Sequence, residues 1–232
     1  VTAIISAAAV WAAAATGRGP VVMSNERSAS TPAIIDGREV NHQWSKSWAF
    51  EQRFASVLAK RVPSVGYFSM LRPCSELWVA ERFAKLRAFH PLFRSCNRSF
   101  TIDPERRLDH WCASCDKCAF IDLVLAPFLA APELSAIFQG EEPLETTAMA
   151  PAFENLLGIG HEHKPFECVG DVDECTAAVV LAANREDRQA SELLQQLAVA
   201  VPPRSLDALD AMLQPSGPHG IPDAYLAAAG LG

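Results

Sequence analysis

The chain has 232 residues, half of them hydrophobic and a fifth charged, with a formal net charge of −7 and a pI near 5.4. That is enough chain for one large domain or one and a half around a real core, and the acidic balance excludes a general nucleic-acid binder while allowing a nucleotide held by local donors. Seven cysteines, an odd number and mostly clustered at metal spacing, suit a reducing cytoplasm better than secretion.

The first element is an uncharged, Ala-rich run, VTAIISAAAVWAAAA, closed by Thr16-Gly17-Arg18. It lacks a basic leader and is too short to span a bilayer, so it reads as a buried helix with a glycine stop, and the chain as the later part of a longer protein. Pro20 to Met23 then forms a short apolar run of the kind found in buried parallel strands, and helix-then-strand is the pattern of an α/β layer fold. A polar loop continues from Ser24 through Asp36-Gly37-Arg38 to Ser47, which is placed to cap a helix with Phe50, Phe54, Val57 and Leu58 on its apolar face. Val65 to Phe68 is a second strand, followed by helices over 76–87 and from Cys115 to just before Pro127. Residues 173–200 form the longest helical pattern, ended by Pro202-Pro203, with two short helices beyond it near Leu206 to Leu213 and Ala224.

Three stretches carry candidate chemistry. The first is Cys96, Cys112, Cys115 and Cys118, in the pattern C-x15-C-x2-C-x2-C. Two-residue gaps aim neighbouring thiolates at one centre, and Cys96 closes a tetrahedron suited to a structural Zn²⁺; an iron–sulfur cluster or a pair of disulfides are the alternatives. The second comprises the loops over 24–30 and 41–47, with Asn25, Glu26, Ser28, Ser30, His42, Gln43, Ser45 and Lys46. Such donors beyond a buried strand suit a nucleotide or phosphorylated ligand, with Glu able to hold Mg²⁺; a polar surface loop with a capping Ser has the same composition. No Walker-type loop and no Gly-x-Gly-x-x-Gly is present. The third runs from Gly158 to Gly170, where Lys164, Glu167 and Cys168 are acid/base-capable and the glycines let backbone approach a ligand. Cys168 reads equally as a small buried hydrophobe, and His161 and His163 as loop residues.

Taken together, SNERSAS over 24–30, VNHQWSKS over 40–47, LRPCSE over 71–76, FRSC over 93–96, WCASCDKC over 111–118 and KPFECVG over 164–170 resemble the UDP-N-acetyl-α-D-muramoyl-L-alanyl-L-glutamate epimerase family of peptidoglycan precursor synthesis. The resemblance covers almost the whole chain. The cysteine array is also similar to the zinc site of deazaguanine synthases, which share the PP-loop ATP-pyrophosphatase architecture.

The resemblance implies an α/β fold: residues 1–70 as the C-terminal part of a PP-loop (adenine nucleotide α-hydrolase-like) parallel-sheet domain, and residues 71–232 as a mainly helical substrate domain with a Cys₄ zinc site. It implies a cytoplasmic isomerase that uses ATP and Mg²⁺ to activate the terminal L-Glu of UDP-MurNAc-L-Ala-L-Glu as an acyl-adenylate, with no nucleic-acid or membrane partner. Asn25, Glu26, Ser28, Ser30, His42, Gln43, Ser45 and Lys46 are then expected on the nucleotide, Arg72, Glu76 and Arg94 on the substrate's carboxylate or diphosphate, and Lys164, Glu167 and Cys168 in proton transfer. The family's phosphate-binding PP-loop is not found in these residues, so the chain is expected to lack part of its ATP site and to be inactive alone, without ATP–pyrophosphate exchange. The rival functions are another PP-loop enzyme, amidating or thiolating a base, and a non-catalytic zinc-ribbon interaction module.

Overall fold

A computed structural model describes residues 1–160 and 169–231. It is α/β and mostly helical, with one small parallel sheet, and divides into two compact units, one formed by 1–75 with 214–232 and the other by 76–213.

In the first unit, α1 (Thr2–Thr16) follows from its alanines, the best helix formers, and stops at Gly17, whose left-handed φ of 65° turns its N–H back onto the carbonyls of Ala13 and Ala14. The helix is not buried as expected. Only the face with Ser6, Val10 and Ala13 is covered, while Ile4 and Trp11 are each 75% exposed. Val10 and Ala13 pack with Leu58, Val65 and Tyr67, and the Ser6 hydroxyl meets the Tyr67 hydroxyl at 2.9 Å.

Two strands pair in parallel, β1 (Val21–Met23) with a later strand at Tyr67–Ser69, in the register Val21 to Tyr67. Between them the loop expected over 24–47 contains an antiparallel hairpin, β2 (Ala33–Ile35) and β3 (Arg38–Val40), turned by Asp36 and Gly37 at φ 49° and 74°. Asp-Gly, a pair that tolerates positive φ at both central positions, is the signal for that turn. Ser47 caps α2 (Trp48–Arg61) as expected, its Oγ accepting from the Phe50 N–H at 3.2 Å. Leu58 is buried on this helix, but Val57 is 55% exposed. The strand at Tyr67–Ser69, β4, is buried throughout. The C-terminal tail packs on this unit: Ser216 N donates to Pro73 O at 2.7 Å and Tyr225 meets Phe68 edge-on at 5.1 Å.

The second unit is helical. Its first helices are α3 (Glu76–Ala84), shorter than expected, α4 (Asp116–Leu125), α5 (Ala131–Ile137) and α6 (Ala150–Leu156). The long helical pattern expected over 173–200 is two helices, α7 (Val172–Ala183) and α8 (Glu192–Ala200), parted by a 3₁₀ turn at Glu186–Arg188. Helix α9 (Leu206–Met212) closes the unit, while α10 (Asp223–Ala229) belongs to the first. Helix α4 is the hub, packed against α3, α6 and α7, with Phe120, Leu123 and Val124 buried. No described helix is long and apolar enough to cross a membrane.

Candidate metal centre and polar loops

The four cysteines of the array converge. Cys96 precedes a 3₁₀ turn at Asn97–Phe100, Cys112 lies in the next loop, Cys115 is the N-cap of α4, and Cys118 is in that helix's first turn. Their sulfurs all lie within 4.8 Å of one another, with Cys112 to Cys118 at 3.7 Å, Cys115 to Cys118 at 3.6 Å and Cys96 to Cys115 at 4.0 Å. Four thiolates around one Zn²⁺ at about 2.3 Å stand about 3.8 Å apart, so the donor set fits a closed tetrahedral ion. These separations are far beyond a disulfide, and none of the six described cysteines is in one.

Local structure makes the cluster. Ala113 takes a left-handed φ of 52°, an arrangement that costs roughly 1–2 kcal/mol for a residue with a Cβ and that folds the chain between Cys112 and Cys115. At the start of α4 the backbone N–H of Cys118 bonds to the Cys115 sulfur, which favours its thiolate. The hydrogen bond between the two sulfurs pulls Cys115 well below the ordinary thiol range and pushes Cys118 up, with burial raising Cys118 further. Burial also raises Cys112. The loop is braced by an aromatic ladder, Phe83 to Phe93 at 4.5 Å, Phe93 to Trp111 at 5.1 Å and Trp111 to Phe138 at 5.6 Å.

The polar loops of the first unit are held by Arg72. Its guanidinium donates to Glu51 Oε2 at 2.9 and 3.2 Å, to Glu26 O at 2.8 Å and to Lys46 O at 2.6 Å. Glu51 also accepts from the Ser69 N–H at 3.1 Å. Asn41 Nδ2 reaches Ala29 O, and Ser30 Oγ accepts from Trp48 N at 3.0 Å. The structure thus brings the 24–30 and 41–47 loops together. Asn25, Ser28 and Gln43 are buried, with Asn25 Nδ2 on Ser69 Oγ at 3.0 Å; Glu26, Ser30, Ser45 and Lys46 are half-buried, and His42 is exposed. Arg72, expected on the substrate, is 2% exposed with its guanidinium turned onto the protein's own loops and Glu51.

Glu76 and Arg94 belong to the second unit. Glu76 begins α3, its backbone N–H donating to Glu174 Oε1 at 3.2 Å. Arg94 is exposed beside Phe93. Lys164, Glu167 and Cys168, with His161 and His163, lie outside the described residues. The flanking glycines do not open space for a ligand: a Cβ on Gly160 would stand 2.3 Å from Asn155 Oδ1, and one on Gly170 2.9 Å from Phe120.

Sequence reasoning missed two buried charge networks. Glu51, in the first turn of α2, is the partner of Arg72, and an ionic residue on the buried side of that helix is its only signal. In the second unit Arg188 pairs with Glu142 inside the core, beside Asp122, whose Oδ2 accepts from Leu144 N at 2.7 Å. Burial, then the Glu142 charge, pushes Asp122 well above the usual carboxylate range.

The MurL N-terminal domain model matches residues 1–70, and the MurL C-terminal domain model matches residues 92–212. A UDP-N-acetyl-alpha-D-muramoyl-L-alanyl-L-glutamate epimerase of Xanthomonas oryzae pv. oryzae (strain MAFF 311018) is 43% identical over 230 residues, 97% of this chain and 50% of the relative. Proteins of the same name from Micromonospora sp. (strain ATCC 39149 / NRRL 15099 / SCC 1413) and Salinispora tropica (strain ATCC BAA-916 / DSM 44818 / JCM 13857 / NBRC 105044 / CNB-440) are 40% and 39% identical, over 97% and 99% of this chain. The chain spans about half the length of the curated relatives it matches. No solved structure matches it. On the family models and these identities, the chain belongs to the MurL family.

Proposed function

We propose that this chain forms part of a cytoplasmic, ATP-dependent epimerase that converts the terminal L-Glu of UDP-MurNAc-L-Ala-L-Glu to D-Glu in peptidoglycan precursor synthesis. The observation that carries this reading is the match of both family models together with about 40% identity to named epimerases along nearly the whole chain. In this reading the unit that begins with residues 1–70 forms part of a PP-loop-type nucleotide domain, and the zinc-stapled substrate domain expected over 71–232 is confined to 76–213, the tail 214–232 belonging with the first unit.

The chemistry requires activation because a carboxylate is a poor electron sink. Attack of the glutamate α-carboxylate on the ATP α-phosphorus, with Mg²⁺ offsetting phosphate charge, would release pyrophosphate and leave a mixed anhydride. That anhydride acidifies the α-hydrogen, so one side chain removes the proton and a proton returns on the other face. Water then cleaves the anhydride to D-Glu product and AMP, without net redox change. Asn25, Glu26, Ser28, Ser30, His42, Gln43, Ser45 and Lys46 are the nucleotide-side residues, with Glu26 suited to Mg²⁺. Arg72 supports them by positioning both loops rather than by reaching the substrate. Arg94 and Glu76 serve the substrate, and Lys164, Glu167 and Cys168 the proton transfer. Zn²⁺ on Cys96, Cys112, Cys115 and Cys118 is structural, because four thiolates leave no open position for substrate.

The test is AMP release by a protein of the relatives' full length given ATP, Mg²⁺ and the UDP-MurNAc-dipeptide. The reading expects AMP only with the L-Glu or D-Glu substrate present; AMP release independent of substrate, or none from a folded protein, contradicts it.

A further inference from the structure

On a chain of net charge −7, residues 85–110 carry six Lys or Arg against three Asp or Glu. This segment leads into the metal cluster, and it bounds an open cleft of about 810 Å³ within the second unit, lined in part by Leu92, Arg94, Phe100, Arg107 and Asp109. A smaller cavity of about 250 Å³ adjoins it and shares Arg94 and Asp109.

The cleft is held in shape from behind. Phe93 and Trp111 are anchored in the aromatic ladder, so the chain positions next to them are fixed, with Arg94 lining the cleft and His110 the adjoining smaller cavity. Ser99 Oγ donates to His110 O at 2.8 Å, Leu108 N to Arg98 O at 3.1 Å, and the Arg107 guanidinium to Thr101 O at 2.9 and 3.1 Å. Against this fixed frame, Leu92 and Phe100 stand 69% and 66% exposed. An exposed phenyl ring in a basic cleft is an unfilled stacking surface, and bases stack on such rings for roughly 1–3 kcal/mol each.

The charge arrangement selects among anions. Arg94 offers a guanidinium fork suited to phosphate oxygens, and Arg107, whose Nε and Nη2 donate to Thr101 O, adds its positive charge and its remaining Nη1. Asp109 stands in the same cleft with one carboxylate oxygen held by His110 at 2.8 Å. It would repel a small anion that filled the cleft alone, but its other oxygen can accept from ribose hydroxyls, as acidic residues do in nucleotide sites. A ligand with a base, a vicinal diol and a diphosphate satisfies all three features. The volume lies within the range of small-molecule sites.

We propose that this cleft binds a nucleoside diphosphate, the uridine diphosphate end of the substrate, with Arg94 and Arg107 on the phosphates, Asp109 on the ribose and Phe100 against the base. The assignment rests on the epimerase reading for the identity of the base. The metal cluster then has a functional consequence, since it pins the loop that carries the cleft.

The test is calorimetric titration of the 232-residue chain with UDP, uridine and inorganic pyrophosphate, for the native protein and for Arg94→Ala and Phe100→Ala. Both side chains are exposed, and retained metal content and circular dichroism check the fold. UDP is expected to bind at least tenfold more weakly to each variant, with uridine and pyrophosphate each binding the native protein more weakly than UDP. UDP binding that neither variant changes, pyrophosphate binding as tight as UDP binding, or no UDP binding overturns the assignment. If UDP binding depends on Arg94 while the full-length protein makes no AMP from the substrate, the cleft stands and the epimerase reading falls. If epimerisation proceeds with KM for the substrate unchanged by Arg94→Ala, the reading stands and the cleft falls.

Discussion

Arg72 and Glu51 meet inside the first unit, Nη2 to Oε2 at 2.9 Å, with only 2% and 3% of the two side chains exposed. The same guanidinium carries the backbone carbonyls of Glu26 and Lys46, so one arginine fixes both polar loops. Arg72→Met leaves a buried carboxylate without its partner and frees two loops. The expected cost is about 3–5 kcal/mol, read as a lower urea midpoint. Arg72→Lys should recover little of it, because an ammonium cannot span the same fork of acceptors. A midpoint unchanged in Arg72→Met would remove this pair from the account.

The cysteine cluster predicts about one Zn²⁺ per chain by elemental analysis. Cys118→Ser should lose the metal and lower the melting temperature, since Cys118 is fully buried and its sulfur stands within 3.7 Å of two others. A protein isolated with iron and sulfide, or a metal-free protein with undiminished stability, would contradict the zinc assignment.

Asp122 predicts a pH dependence of stability. Its folded pKa is raised by burial, then by Glu142, above an unfolded value near 3.9. The folded chain therefore holds a proton that the unfolded chain has lost, and stability from this group is fully present below the unfolded value and declines as pH rises through the folded one. The decline is about 1.4 kcal/mol for each pH unit over which the two states differ in that proton. Asp122→Asn keeps an oxygen for the Leu144 N–H and removes the titration. The variant should gain on the native protein as pH rises above about 4 in chemical denaturation, and a gap that is constant with pH would refute the mechanism.

Glu167 and Cys168 are proposed in proton transfer, where a positioned acid or base contributes about 10²–10⁴-fold. In a full-length protein, Glu167→Gln and Cys168→Ala should lower epimerisation by that order while leaving the metal content unchanged. Epimerisation at the native rate in either variant takes that residue out of the mechanism.

What could be read from the chain depended on how local the signal was. The C-x2-C-x2-C run marks a metal site because two-residue gaps fix geometry within one turn, and Ser47 and Gly17 mark helix ends by side chain and backbone chemistry that acts within four residues. The Asp36-Gly37 turn is an equally local signal, but the polar runs on either side of its two three-residue strands hide the hairpin in what reads as a loop. Burial was less legible. Ala-rich α1 is apolar all round, which is the pattern of a buried helix, yet the face with Ile4 and Trp11 is exposed here. The Arg72–Glu51 and Arg188–Glu142 pairs join positions 21 and 46 residues apart, and no spacing rule links them. The break between α7 and α8 follows the same logic, as Arg188 leaves the helical pattern to reach Glu142.

The central claim is the reaction. A protein of the relatives' full length is given UDP-MurNAc-L-Ala-L-Glu, ATP and Mg²⁺; the UDP-MurNAc-dipeptide is then separated from the protein and hydrolysed, and its glutamate is resolved on a chiral column. The account predicts D-Glu appearing with AMP and only when ATP is present. Glutamate that remains wholly L, from a folded protein with its metal bound, would contradict it.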